Sequence, residues 1–301
     1  MLTLTKDHYI FAMDKNNPPA AEASCGDTVV FETYDCFVNE IQSENQQLDH
    51  FNWDRVNPAT GPLYIKEAKA GDVLQVKIEK IMLENKGIAM TIKDMGPLGQ
   101  QIDQTAIKEM QVMSDMAVFK KGNREIEIPL NKMIGVIGTA PAGEPVNCGT
   151  PDAHGGNMDC IQITEGATLY LPVNVDGALL ALGDLHAAMA DGEVGLSGIE
   201  IPGSVTLTVT VIKDKPMPTP MLENETHLMT IASHESLNIA CDTAVQNMHS
   251  YLVNNHDFTK EDAAIFLSLT GQARICQIVD PKKTARMEIK KSLLKSRLIN
   301  E

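Results

Sequence analysis

VTLTVTVIK, residues 205–213, alternates strictly. Val205, Leu207, Val209 and Val211 point one way, and Thr206, Thr208, Thr210 and Ile212 the other. Side chains alternate faces along a strand, so this reads as a half-buried antiparallel strand. VLQVKIE (73–79) repeats the pattern, with Leu74, Val76 and Ile78 opposed to Gln75, Lys77 and Glu79. TVVFETY (28–34), IAMTI (88–92), EIEIPL (125–130), MIGVIG (133–138) and ATLYLPVNV (167–175) are further strands, separated by turns with glycine or proline. Long helical patterns are scarce before residue 215, which argues against βαβ winding. The expectation is a mainly β fold with sandwich- or barrel-like lobes.

The pattern changes at PMPTPM (216–221), a proline-rich connector. It divides a β-rich body, 1–215, from a smaller α+β portion, 216–301, packed on the same unit. In 236–256, Val245, Met248 and Leu252 fall at helical spacing, and Thr259 with Asp262 makes a capping start for a second helix. Residues 289–300, IKKSLLKSRLIN, predict a basic amphipathic helix or tail.

Composition narrows the partners. The chain has 301 residues, 43% hydrophobic and 22% charged, enough to build a core. Its net charge of −15 disfavours nucleic acid and anionic membrane, both of which need a basic face. No apolar run approaches the length of a membrane span, and the N-terminal stretch lacks the basic and apolar regions of a signal peptide. The six cysteines (25, 36, 148, 160, 241, 276) form no CxxC pair and read as free thiols of a reducing compartment, most simply the cytoplasm.

Three segments gather groups that do chemistry. FETYDCF (31–37) carries Glu32 and Asp35. GTPDAHGGNMDC (149–160) carries Asp152, His154, Asn157 and Asp159. GDLHAAMADGE (183–193) carries Asp184, His186, Asp191 and Glu193. Each lies at the end of a predicted strand or in the turn after it, where scaffolds present functional side chains. Asp184 and His186 are two apart and share a face if extended, as metal ligands often do. A His nitrogen with carboxylate oxygens suits zinc, and also manganese or iron; an all-oxygen subset suits calcium or magnesium. A spare carboxylate such as Glu193 then serves as general base. The plainer readings are a hydrogen-bonding loop role for His154, a turn for Asp191-Gly192, a turn cap for Asp35, and small buried hydrophobes for Cys36 and Cys160. No GxSxG, P-loop or dinucleotide fingerprint occurs.

CGDTVVFETYDCF, RVNPATGPLYIKEAKAGDVL, GTPDAHGGNMDC, TLYLPVNVDGALLALGDLHAAMADGEV and SGIEI, in this order, resemble the acetamidase/formamidase family. The similarity runs from about residue 25 into the C-terminal segment. The resemblance implies hydrolysis of a short linear carboxamide such as formamide or acetamide to ammonia and carboxylate. It also implies two β lobes, a homo-oligomer of at least two subunits, and a metal in some members. On that footing the expected metal is zinc, with calcium second. It is held by His186, Asp159 and Asp35, with Asp184 or His154 as further ligands. Glu193 is the expected proton carrier, and Asn157 with the Gly155–Gly156 backbone the expected oxyanion donors. Where family members commonly have Lys-Asp after NMDC and Cys after DGEV, this chain has Ile161, Gln162 and Gly195. Those departures keep two alternatives open: a metal-independent amidase using Glu193 or Glu144, and a catalytically silent small-molecule binder.

Overall fold

Alternation along the chain becomes alternation of burial. In the strand Gly203–Ile212, Val205, Leu207 and Val209 are fully buried while the threonines between them are half-exposed. This strand pairs antiparallel with Thr28–Thr33 on one side and Val73–Leu83 on the other. The computed structural model describes residues 1–48, 50–214 and 217–294. Pro216 of the predicted connector lies outside them, as do residues 295–301.

Nine strands form the largest sheet, in the order Leu2–Leu4, Thr28–Thr33, Gly203–Ile212, Val73–Leu83, Thr168–Pro172, Met221–Glu223, His227–His234, Lys283–Lys290, Gln272–Gln277. The order mixes near and distant segments, and one face packs into the main apolar core with Phe31, Leu74, Val76, Ile78, Leu169 and Leu207.

A second sheet carries the candidate site. Its order is Gly155–Asn157, Met133–Gly138, Leu180–His186, Ala59–Ile65, Tyr9–Ile10, with Ala21–Ala23 also pairing on Ala59–Ile65. Met133–Gly138 and Leu180–His186 are buried at every position, which is why MIGVIG and the first residues of LALGDLH read as apolar runs instead of alternating ones. A third sheet is an antiparallel meander of Lys86–Thr91, Ala106–Met113, Met116–Lys121 and Arg124–Pro129.

The chain after the connector extends the large sheet: Met221–Glu223 pairs with Thr168–Pro172 across the boundary. Two helices, α1 (Leu237–Asn255) and α2 (Lys260–Thr270), bury Ala244, Met248, Leu252, Ala263 and Leu267 over the outer strands in a smaller core of their own. The Thr259 hydroxyl accepts the Asp262 amide, the N-cap that the sequence predicts. As far as Leu294 the segment from 289 departs from expectation, and the rest of it, 295–300, lies outside the described residues. Ile289 and Lys290 complete the strand Lys283–Lys290, and Lys291–Leu294 is a single 3-10 turn. Ile289 continues the buried run of that strand opposite Leu228, so sheet pairing prevails over the helical charge pattern. Among the described residues no helix is long and apolar enough to cross a membrane.

Candidate active site

Leu180–His186 runs antiparallel to Met133–Gly138, but the pairing is broken at one step. Leu185 faces Ile134 and Gly183 faces Val136, while Asp184 takes a left-handed φ of 57°. The opposite residue is Gly135. A Cβ there would lie 2.5 Å from Asp184 Oδ2 and 2.6 Å from Asp159 Oδ1. Glycine therefore opens the space into which both carboxylates fold. Asp159 (φ 43°) and Glu193 (φ 48°) are left-handed as well. Backbone of this kind costs on the order of 1–3 kcal/mol per residue and clusters at functional sites.

Four buried side chains converge on His186. Its Nε2 lies 3.1 Å from Glu200 Oε2, 3.5 Å from Asp184 Oδ1 and 3.9 Å from Asp159 Oδ1. Glu193 joins Asp159 and His186 with ligand atoms all within 4.8 Å of one another, and Cys36, Asp184 and Glu200 form a second such group. Neighbours fix the orientation. Asn57 Nδ2 donates to Asp184 Oδ2 at 3.2 Å, and the Gly198 amide donates to Glu200 Oε1 at 3.0 Å. Each of these carboxylates thus keeps its other oxygen for the centre.

Glu200 is the ligand candidate that the sequence did not single out. It bridges His186 on one side and Ile88 on the other, so residues around it thread between two sheets. Alternation in IEI would place Glu200 in solvent; it is buried because both faces are covered. The one available signal was its presence in SGIEI, one of the segments carrying the family resemblance. Asp280 was also missed. It follows the strand Gln272–Gln277, accepts Asn157 Nδ2 at 3.0 Å and lies beside Asp159.

Asp159, Asp184, His186 and Glu193 thus come together as the sequence reading grouped them. Asp35 and His154 are in neither convergent group. Asp35 Oδ1 caps a turn, accepting the Phe37 amide at 2.9 Å and the Asn39 amide at 2.6 Å. Burial nevertheless pushes its carboxyl up to about 6, against those two bonds. His154 stacks over Gly156 beside Asp152, and burial pushes its imidazole down to about 4. Asn157 lines the cavity over the cluster. Gly155 and Gly156 do not: their left-handed backbone lets Gly155–Asn157 pair tightly with Met133–Gly138, and the Gly155 amide already donates to Asp152 O. Their role here is close packing. Glu144 is exposed and away from the cavity.

The electrostatics are those of crowded acids. Burial, then Asp184, pushes Asp159 up to about 7; burial pushes Glu200 up to about 8 and Glu193 and Asp280 well above the carboxylate range. Burial alone would push His186 down, but Glu200 and Asp184 outweigh it and hold it well above the usual imidazole value. Asp159 Oδ1, Asp184 Oδ1, Glu200 Oε2 and both His186 nitrogens are buried without a hydrogen-bond partner of good geometry. Buried polar atoms are nearly always satisfied. Unsatisfied lone pairs of this kind, on three carboxylate oxygens around one imidazole nitrogen, fit a divalent cation.

Asp184, His186, Glu193 and Glu200 of the cluster line a cavity of about 360 Å3. Ile161 and Gln162 lie outside its lining, and Gln162 is engaged with Asn224. Gly195 stands on the loop after Glu193 and faces a neighbouring cavity.

The comparisons agree with this architecture. An acetamidase of known structure from Bacillus halodurans is 46% identical, with 98% of this chain and 99% of its own covered and a TM-score of 0.95. A predicted acetamidase/formamidase from Thermoanaerobacter tengcongensis is also 46% identical, covering 98% and 97%, with a TM-score of 0.94. A formamidase-like protein of Schizosaccharomyces pombe is 28% identical over 257 residues, 65% of this chain and 62% of its own length, so the match spans less than two thirds of that relative. Residues 12–149 and 147–292 match the acetamidase/formamidase family, and the chain belongs to it.

Proposed function

We propose that the protein hydrolyses the C–N bond of a linear carboxamide, releasing ammonia and a carboxylate, with a divalent metal held by His186, Asp159, Asp184 and Glu200. The convergence of those three carboxylates on His186, with Glu193 alongside, carries the reading. When bound, such a cation polarises a carbonyl and makes water a better nucleophile near neutral pH.

The chain's own groups do the rest. Glu193 takes a proton from the attacking water and delivers it to the departing nitrogen. Its high proton affinity, from burial and Asp159, suits the second half of that task. Asn157, tied through its amide to Asp280, faces the same space and orients the substrate carboxamide. Water adds to the acyl carbon, the C–N bond breaks, and the nitrogen leaves as ammonia.

The names of the relatives, acetamidase and formamidase, supply the simplest substrates to try. Zinc, a homodimer or larger assembly, and a cytoplasmic location complete the reading; they rest on donor types, family membership and six free cysteines. Ile161 and Gln162 stand outside the cavity lining, which weakens the motive for the silent-binder alternative, while Gly195 lines an adjoining cavity that Glu193 shares. Metal analysis of the purified protein, paired with ammonia release from formamide and acetamide, tests the proposal. Bound metal and turnover that fall together on chelation and return with zinc are expected. Full turnover in demonstrably metal-free protein moves the reaction to Glu193 alone.

A further inference from the structure

The acidic cluster supplies only part of the lining of its cavity. The whole space is about 360 Å3. At about 30 Å3 per water, that is room for on the order of ten water-sized groups. It falls within the roughly 300–1,000 Å3 of pockets that enclose much larger ligands. Formamide or acetamide would fill a small part and leave the rest to water.

Most of the remainder is apolar, with Asn147, Thr150 and Ser197 the polar exceptions. Phe37 and Met90 are buried next to the cluster, and Val56, Ile92, Leu196 and Val279 make half-buried walls beyond them. Trp53 and Met95 stand at the rim, 43% and 50% exposed. Large apolar side chains left in water around one opening mark a surface that a ligand covers. Among the described lining residues there is no lysine or arginine. Beyond His186 in the cluster the lining offers no cationic side chain, so an anionic substituent on the acyl chain loses its hydration and finds no partner along these walls.

We infer that the preferred substrate is a neutral primary amide with an apolar acyl group of several carbons. Its carboxamide lies at His186 and its hydrocarbon against Val56, Ile92, Met95 and Leu196. This rests on the amide-hydrolase reading above and adds the substrate class to it. The reaction is unchanged: water bonds to the acyl carbon, the C–N bond breaks, and a longer carboxylate leaves with ammonia. Each methylene taken out of water at these walls raises kcat/KM about fourfold.

The test is ammonia release by the zinc-loaded full chain from acetamide, butyramide, hexanamide and the anionic succinamate. The expected result is a kcat/KM that climbs with chain length, by on the order of 100-fold from acetamide to hexanamide, with succinamate below acetamide. Ile92→Trp, which fills one wall, should cut the hexanamide-to-acetamide ratio at least tenfold; Leu196→Trp gives the same reading if the first variant is insoluble. Turnover of acetamide with a flat or falling series, or succinamate as the best substrate, overturns this inference and leaves amide hydrolysis standing. No ammonia from any of the four overturns both.

Discussion

The Arg286 guanidinium holds the Asp191 carboxylate with two bonds, Nη1 to Oδ1 at 2.7 Å and Nη2 to Oδ2 at 2.8 Å. Arg286 is buried, which alone would weaken its hold on a proton, but Asp191 outweighs that and keeps it charged. Asp191 stands two residues before Glu193, and the intervening Gly192 amide donates to Cys276 O at 2.8 Å. The turn that aims Glu193 is therefore fastened to the edge of the large sheet. Removing one partner of a fully buried pair costs about 3–5 kcal/mol, but the Asp191 side chain is 33% exposed, so water screens part of the loss, and Glu288, 3.3 Å from Arg286, retains part of the compensation. Asp191→Ala should lose about 1–2 kcal/mol in denaturant unfolding and lower kcat more than it raises KM. Unchanged stability and kcat would separate the turn from the chemistry.

Glu193→Gln keeps the size of the side chain and removes its proton-carrying role. Turnover should fall by about 10²- to 10⁴-fold while bound metal stays near wild type. Metal analysis beside ammonia release decides the matter: metal lost with activity makes Glu193 a ligand.

Glu200 and Asp35 exchange the ranks that sequence reading alone would assign. Glu200→Gln removes an oxygen that faces His186 and should reduce bound metal at least tenfold. Asp35→Asn preserves an acceptor for the Phe37 and Asn39 amides and should leave metal content nearly unchanged. Titration of the two metal-free variants with zinc compares them directly; equal losses would restore Asp35 to the ligand set.

The metal-free protein should lose stability as pH rises. Asp159 and Glu200 titrate in the fold at about 7 and about 8, above the ordinary carboxyl values they recover when unfolded. Between about pH 5 and 8 the folded state thus holds more protons than the unfolded one, so unfolding free energy falls with pH. Bound zinc holds the same carboxylates ionised and should reverse that slope. Melting temperatures at pH 5, 6.5 and 8, with and without zinc, show whether the slopes differ in sign.

Local pattern made much of this legible. Strands such as Gly203–Ile212 and Val73–Leu83 alternate because one face is wet, and Thr259 announces its helix by a contact three residues long. Glu200 and Asp280 were hidden for the opposite reason. Their roles depend on which strands lie beside them, and periodicity carries no information about sheet order. Asp35 shows the same limit from the other side: next to the right motif, its Oδ1 accepts two amides of its own turn.

The left-handed backbone at Asp159, Asp184 and Glu193 bears on transplantation. These carboxylates reach their places through the path of the main chain, and Gly135 must stay bare for two of them to fit. Glycine at any of the three would relax the backbone and firm up the fold while emptying the site of function. A designer who copied the side chains onto regular strands would reproduce the inventory and miss the geometry. What has to be grafted is a pair of interrupted strands, bends included.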